Sequence, residues 1–215
     1  MANVIQLTFN PFQENTYVVY DDTKECIVVD PGCLFPDEKA ELLETIHRLE
    51  LRPVRLINTH CHIDHILGNH FIATTFNLVL EAHQGEQVVL DSGVQVASMY
   101  QIPYPDPSPA IGKFLTAGDV IEFGETRLKA IFTPGHSPAS LSFYCEKDRF
   151  VLSGDVLFKN SIGRYDLPGG NYQTLMKNIR EKLMVLPDEV KVYSGHGVAT
   201  TIGAERRGNP FLVGE

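Results

Sequence analysis

The sequence predicts an α/β fold in which two sheets pack face to face with helices on the outside. Three observations predict it. Strand-like runs alternate with helix-like runs in both halves of the 215-residue chain. A dense histidine stretch begins at the C-terminal end of a short apolar strand. Three later strand ends each carry a glycine followed by a ligand-type residue. The length suits one domain, residues 1–215, and a hydrophobic content of 43% allows a sizeable core.

The elements follow in order. Val4–Phe9 reads as a strand. "NTYVVYD" from Asn15 and "CIVVDPG" from Cys26 read as a hairpin pair around "DDTK". In "PDEKAELLETIHRLE", Leu42, Leu43, Ile46 and Leu49 share one helical face, with Pro36, Asp37 and Glu38 in the first turn and His47 exposed. "VRLIN" from Val54 is a short strand. Helices are expected over about 66–76 and 86–100. The proline-rich "IPYPDPSPA" is expected to be a long loop within the domain, bordering a site. "DVIEFG", "TRLKAIFT", "LSFYCE" and "RFVLSG" read as strands. "NYQTLMKNIREKLMVL" reads as a helix, and "VKVYSG" as a last strand.

Composition excludes several classes. With 18 basic and 27 acidic residues the net charge is −9, and no Lys/Arg cluster is present to neutralise phosphates, so no nucleic-acid partner is expected. "MANVIQLTFN" is not a signal peptide, and no run approaches the ~18 apolar residues of a membrane span. Cys26, Cys33, Cys61 and Cys145 form no CxxC pair, which excludes a zinc-finger framework. Reduced, buried thiols in a cytoplasmic protein are expected.

"INTHCHIDHILGNH" carries His60, His62, His65 and His70, half of the eight histidines in the chain. Neutral imidazole is the commonest metal ligand. In extended chain, residues two apart point to the same side, so His60 and His62 can meet one ion. Asp64 and His65 then enter a turn and can face a second. Cys61, between the two histidines, is turned away and reads as a buried neighbour. The missing ligands are sought in "FTPGHSPAS" (His136), "VLSGDVLF" (Asp155) and "VYSGHGVAT" (His196), where a preceding glycine lets the backbone turn sharply. His70 reads as structural. His83 caps a helix or lies exposed.

These residues resemble the metallo-β-lactamase fold family, and within it the glyoxalase II-like hydrolases of the short bacterial type. "THCHIDH" matches T-H-x-H-x-D-H. "TPGHSPAS" is similar to T-P-G-H-T-x-G-S, "SGDVLF" to G-D-x-L-F, and "SGHG" to the final G-H-G. "VVDPG" matches the early strand motif whose aspartate, here Asp30, supports the metal loop. The resemblance implies an αββα four-layer sandwich with two zinc ions per chain. His60, His62 and His136 would hold the first, Asp64, His65 and His196 the second, and Asp155 would bridge them. Iron or manganese are the alternatives to zinc. A hydroxide shared by the two metals would be the nucleophile, with Asp64 and Asp155 as the catalytic carboxylates. No Ser or Cys nucleophile is required.

The implied substrate is a small acyl thioester, of which S-lactoylglutathione is the type case. "FKNSIGRYDLPGG" offers Lys159, Arg164 and Tyr165 as substrate-binding residues. Glyoxalase II proper carries a lysine where Arg164 stands and a glutathione-binding tyrosine where Asp166 stands. Its long C-terminal helical region does not follow here, so weaker glutathione recognition is expected. Three further readings compete. A mononuclear iron persulfide dioxygenase would use only His60, His136 and Asp155, and "GRYD" resembles that branch. A hydrolase of another small ester, or a metal-stabilised scaffold without turnover, also fits the ligand set. Antibiotic hydrolysis is disfavoured because true β-lactamases of this type lack the bridging aspartate.

Overall fold

Alternation at every second residue decides which core each strand feeds. In the computed structural model, which describes residues 1–213, Tyr17 and Val19 face one apolar cluster while Val18 faces another, and Ile27 and Val29 are split from Val28 in the same way. Strands buried on both faces in this manner must lie between two layers. Gly214 and Glu215, the end of the expected domain, lie outside the described residues.

The first sheet contains β1 (Asn3–Phe9), β2 (Glu14–Tyr20), β3 (Glu25–Val29), β4 (Arg52–Ile57), β5 (Leu80–Ala82) and β6 (Ile111–Phe114), hydrogen-bonded in that order. Its first two pairings are antiparallel and the rest parallel. The second contains β7 (Val120–Phe123), β8 (Thr126–Phe132), β9 (Leu141–Cys145), β10 (Phe150–Gly154), β13 (Lys191–Ser194) and β14 (Thr200–Thr201), again as neighbours in that order. Only β10 and β13 pair in parallel there. Between them in sequence, β11 (Leu157–Phe158) and β12 (Ser161–Ile162) form a separate hairpin. Tyr17, Val19, Ile27 and Ile57 meet Leu128, Leu141, Phe143 and Leu152 between the sheets.

Helices cover the outer faces. On the first sheet lie α1 (Pro36–Arg48), α2 (Ile63–Ile66), α3 (Asn69–Phe76), α4 (Gln87–Asp91) and α5 (Gly93–Met99). On the second lie α6 (Tyr172–Asn178), a π-helical turn at Ile179–Leu183 and α7 (Ile202–Gly208). The α/β sandwich read from the sequence is therefore the fold. No helix among the described residues is long and apolar enough to cross a membrane.

Several expected boundaries are corrected. The helix expected over 66–76 starts at Ile63 and breaks at Leu67–Gly68, because Gly68 N–H donates to Pro31 O at 2.7 Å and a Cβ there would lie 2.5 Å from Cys33 Sγ. The helix expected over 86–100 breaks at Ser92, whose hydroxyl donates to Val89 O at 2.7 Å. The run after Asn171 is capped by the Asn171 side chain, which accepts from Thr174 N–H, but leaves α-helical geometry after Asn178. The segment 101–110 is irregular, as expected, and leads into edge strand β6. Its Tyr104 packs on the core, and none of residues 101–110 is among those lining the adjacent cavity, which include Tyr100 just before them.

Candidate metal centre

All the ligand-type side chains leave the C-terminal ends of strands at one edge of the sandwich. β4 ends at Ile57 and delivers His60, His62, Asp64 and His65. β8 leads to His136, β10 to Asp155 and β13 to His196. The glycine argument holds for Gly135 and Gly154, which adopt φ of +130° and +51°. It needs correcting at Gly195, where the reason is space. A Cβ there would collide with Asp155 Oδ1 and come within 2.8 Å of His65 Cε1.

The structure brings all seven motif residues together. His62 Nδ1 lies 2.9 Å from His136 Nε2, and with His60 they form one group of converging donor atoms. Asp64, His65 and His196 form a second. His196 Nε2 is 3.2 Å and His65 Nε2 3.6 Å from Asp64 Oδ2. Asp155 stands between the groups. Its Oδ1 is 3.5 Å from His65 Nε2, and its Oδ2 is 3.5 Å from His136 Nε2 and 3.4 Å from His196 Nε2.

Outer partners fix the rings. His136 Nδ1–H donates to Arg164 O at 2.8 Å, and His196 Nδ1–H to Phe12 O and Gln13 O at 3.1 Å. His65 Nδ1 faces Asp30 Oδ2 at 3.2 Å. Such contacts leave Nε2 for the shared space, as in histidine metal sites generally. Asp30 also clusters with His60 and His65. Its oxygens, however, already accept from Thr59 N–H, Thr59 Oγ1–H and Asn58 Nδ2–H at 2.6–3.1 Å, so it holds the histidine loop in place.

The residues fit cations. His60 Nε2, His65 Nε2 and Asp155 Oδ1 are buried without a hydrogen-bond partner, whereas buried polar atoms are almost always paired. Burial, reinforced by His136, pushes His62 down to about 3, and burial with His65 and its other histidine neighbours holds His60 well below the usual range. Both are therefore neutral and offer lone pairs. In the second group, burial disfavours charge, but Asp155 and Asp64 overcome it and hold His196 up at about 10. Burial likewise opposes ionisation of Asp155 and Asp64, and the charge of His65 overrides it. A cation entering there displaces protons. Loading at neutral pH is thus expected to release protons and to tighten as pH rises. Calorimetric titration in buffers of differing ionisation enthalpy counts the protons, and zero release contradicts the assignment.

Two buried carboxylates, Glu86 and Glu14, carry no signal in the sequence. Glu86 accepts from Cys61 N–H at 2.9 Å on one oxygen, and from Ser137 Oγ–H and Ala139 N–H at 2.6 and 2.7 Å on the other. It ties the His60–His62 loop to the His136 loop. Glu14 lies fully buried 3.8 Å from His65 Nδ1. No motif marks either residue. His83 caps the turn at Gln84–Glu86 by accepting from Gly85 N–H.

A cavity of about 1110 Å³ opens onto the cluster. Lys159 and Arg164 line it. Arg164 is held by Asp166 through two contacts of 2.9 and 3.0 Å, so an anionic ligand must compete for it. Tyr165 packs on Tyr172, with ring centroids 4.9 Å apart, between the lining residues Arg164 and Leu167 but not itself among them.

A family model for the metallo-beta-lactamase superfamily matches residues 9–196. The probable metallo-hydrolase YqgX of Bacillus subtilis is 36% identical over 97% of each chain. The hydroxyacylglutathione hydrolase GloC of Haemophilus influenzae is 31% identical over 98% of each. Among solved structures, the BLEG-1 B3 metallo-beta-lactamase aligns with TM-score 0.90 and 36% identity over the whole of both chains. TTHA1623 in a di-iron-bound form aligns with TM-score 0.86 and 33% identity over 97% of this chain and 100% of that one.

Proposed function

This chain belongs to the metallo-beta-lactamase superfamily, and from that premise we propose that it is a metal-dependent hydrolase of acyl thioesters, of the glyoxalase II type, working with two divalent cations. The observation that carries the reading is Asp155, whose carboxylate reaches both donor groups within 3.5 Å, Oδ2 facing His136 of one and His196 of the other and Oδ1 facing His65, while a large cavity opens onto both groups. The similarity to GloC supports the thioester class. Zinc suits the imidazole-rich donors, while the di-iron form of TTHA1623 makes iron the alternative.

Divalent cations, when bound there, would supply the Lewis acidity that activates water and polarises the acyl carbonyl. The chain's own residues do the rest. His60, His62 and His136 would hold one cation, Asp64, His65 and His196 the other, and Asp155 both. Arg164 O and Asp30 keep the rings aimed inward. Cys61 also lines the cavity, but burial, with Glu86 and Asp30 nearby, raises its thiol well above the usual range. It is protonated at neutral pH and offers no nucleophile. Hydrolysis then adds water at the acyl carbon, breaks the C–S bond and releases a carboxylic acid and a thiol.

The test is a panel of thioesters with zinc- and iron-loaded protein, alongside metal analysis. A β-lactam belongs in the panel because of the BLEG-1 likeness. Oxygen uptake with glutathione persulfide tests the mononuclear dioxygenase reading, against which the unsatisfied His65 Nε2 in the second group argues. Two bound metals with no thioester cleavage would overturn the proposal.

A further inference from the structure

The wall of the cavity carries information that the metal cluster does not. Typical small-molecule sites occupy ~300–1,000 Å³, and this one, at about 1110 Å³, exceeds that range. One side is built by α4 and α5. These helices bury Leu90 and Ala97 in the core, yet direct Val88, Val89, Val96, Met99 and Tyr100 at the cavity. Met99 is 73% and Val88 66% exposed. Phe12 meets Tyr100 edge to face at 5.4 Å and extends the apolar surface towards the His196 loop.

Charge is sparse along the same cavity. Arg164 is neutralised by Asp166. Lys159, in the β11–β12 turn, is exposed and has no ion pair among the described residues. The wall is fixed relative to the metal cluster, because Glu86, which ties the two histidine loops, immediately precedes α4.

Resting on the thioester reading above, we infer that the substrate is a thioester with an extended apolar acyl chain, which lies along the α4–α5 wall, and an anionic thiol portion within reach of Lys159. A lactoyl group is too small and too polar to use this wall. An alkyl chain removes its own surface and that of Val88, Val96, Met99 and Tyr100 from water. The gain, at the ordinary transfer value of a methylene, is about fourfold in affinity per added carbon until the wall is covered.

The experiment measures kcat/KM of metal-loaded protein for glutathione thioesters with acetyl, lactoyl, butyryl, hexanoyl and octanoyl groups. Octanoyl-N-acetylcysteamine serves as the uncharged-thiol comparison. Octanoate binding is followed by calorimetry in parallel. Expected are a rise of at least ~100-fold from acetyl to octanoyl and a several-fold higher KM for the uncharged thiol. Met99→Asp and Val88→Asp, both at exposed positions, should abolish the rise and the octanoate binding, with metal content as the folding control. Cleavage that ignores chain length, or a rise that survives both variants, overturns the inference and leaves thioester hydrolysis standing. Octanoate binding that the variants abolish, with no thioester cleaved, supports recognition of the chain and overturns the thioester reading.

Discussion

Asparagine at position 155 is expected to lower thioester turnover at least ~100-fold, because preorganised electrostatic groups of this kind are commonly worth that much. It is also expected to reduce bound metal from two towards one per chain. The amide keeps the volume of the carboxylate but removes its charge and replaces one acceptor oxygen with an NH₂ donor. That loss falls on the side chain that faces His65, His136 and His196 at 3.4–3.5 Å. The histidine groups themselves remain, so residual binding at the His60–His62–His136 group is expected. Metal analysis of the purified variant beside steady-state kinetics checks both statements. Near-normal turnover with two metals would show that Asp155 does not link the groups.

Glu86→Ala is expected to be the most destabilising single change near the centre that touches no ligand. It strands three donors, Cys61 N–H, Ser137 Oγ–H and Ala139 N–H, in a buried space. At ~1–3 kcal/mol for each unsatisfied buried group, the cost is roughly 3–5 kcal/mol after relaxation, a large share of a typical domain stability of ~5–15 kcal/mol. Glu86→Gln keeps one acceptor oxygen and presents an NH₂ to donors at the other position. It should fold, melt several degrees lower and lose metal preferentially from the histidine-rich group, whose two loops it no longer ties. Thermal melts with and without added metal separate the effects, since a purely structural role would leave metal affinity unchanged in the folded fraction.

The contrast between Asp155 and Glu86 shows what the chain makes legible. The seven ligand-type residues stand beside strand ends within local motifs, so position and chemistry coincide in the sequence. Glu86 and Glu14 look like ordinary surface carboxylates. The partners of Glu86 lie 25, 51 and 53 residues away, at Cys61, Ser137 and Ala139, and Glu14 faces His65 from the strand beneath α2, so only the fold makes them buried. The two-sheet architecture was readable from the alternation of strand-like and helix-like runs in both halves of the chain. Strands β5, β6 and β14, two to four residues long, are too short to show a period. The breaks at Gly68 and Ser92 arise from a tertiary bond to Pro31 and a local hydroxyl bond, neither of which disturbs the helical pattern of apolar residues.

Asn15 reaches across nearly the whole chain. Its side-chain amide donates to Ser194 O and Gly197 O at 3.0 and 2.8 Å, and its backbone N–H to Gly195 O at 2.7 Å. The loop bearing His196 is thus held by a residue made some 180 positions earlier. A nascent polypeptide still lacking that loop cannot close this clasp, so the donor set is completed only after residues 194–197 have been made. Any cation at the Asp64–His65–His196 group would therefore have to wait for both halves of the clasp, whereas the residues of the His60–His62–His136 group are all made before it can form.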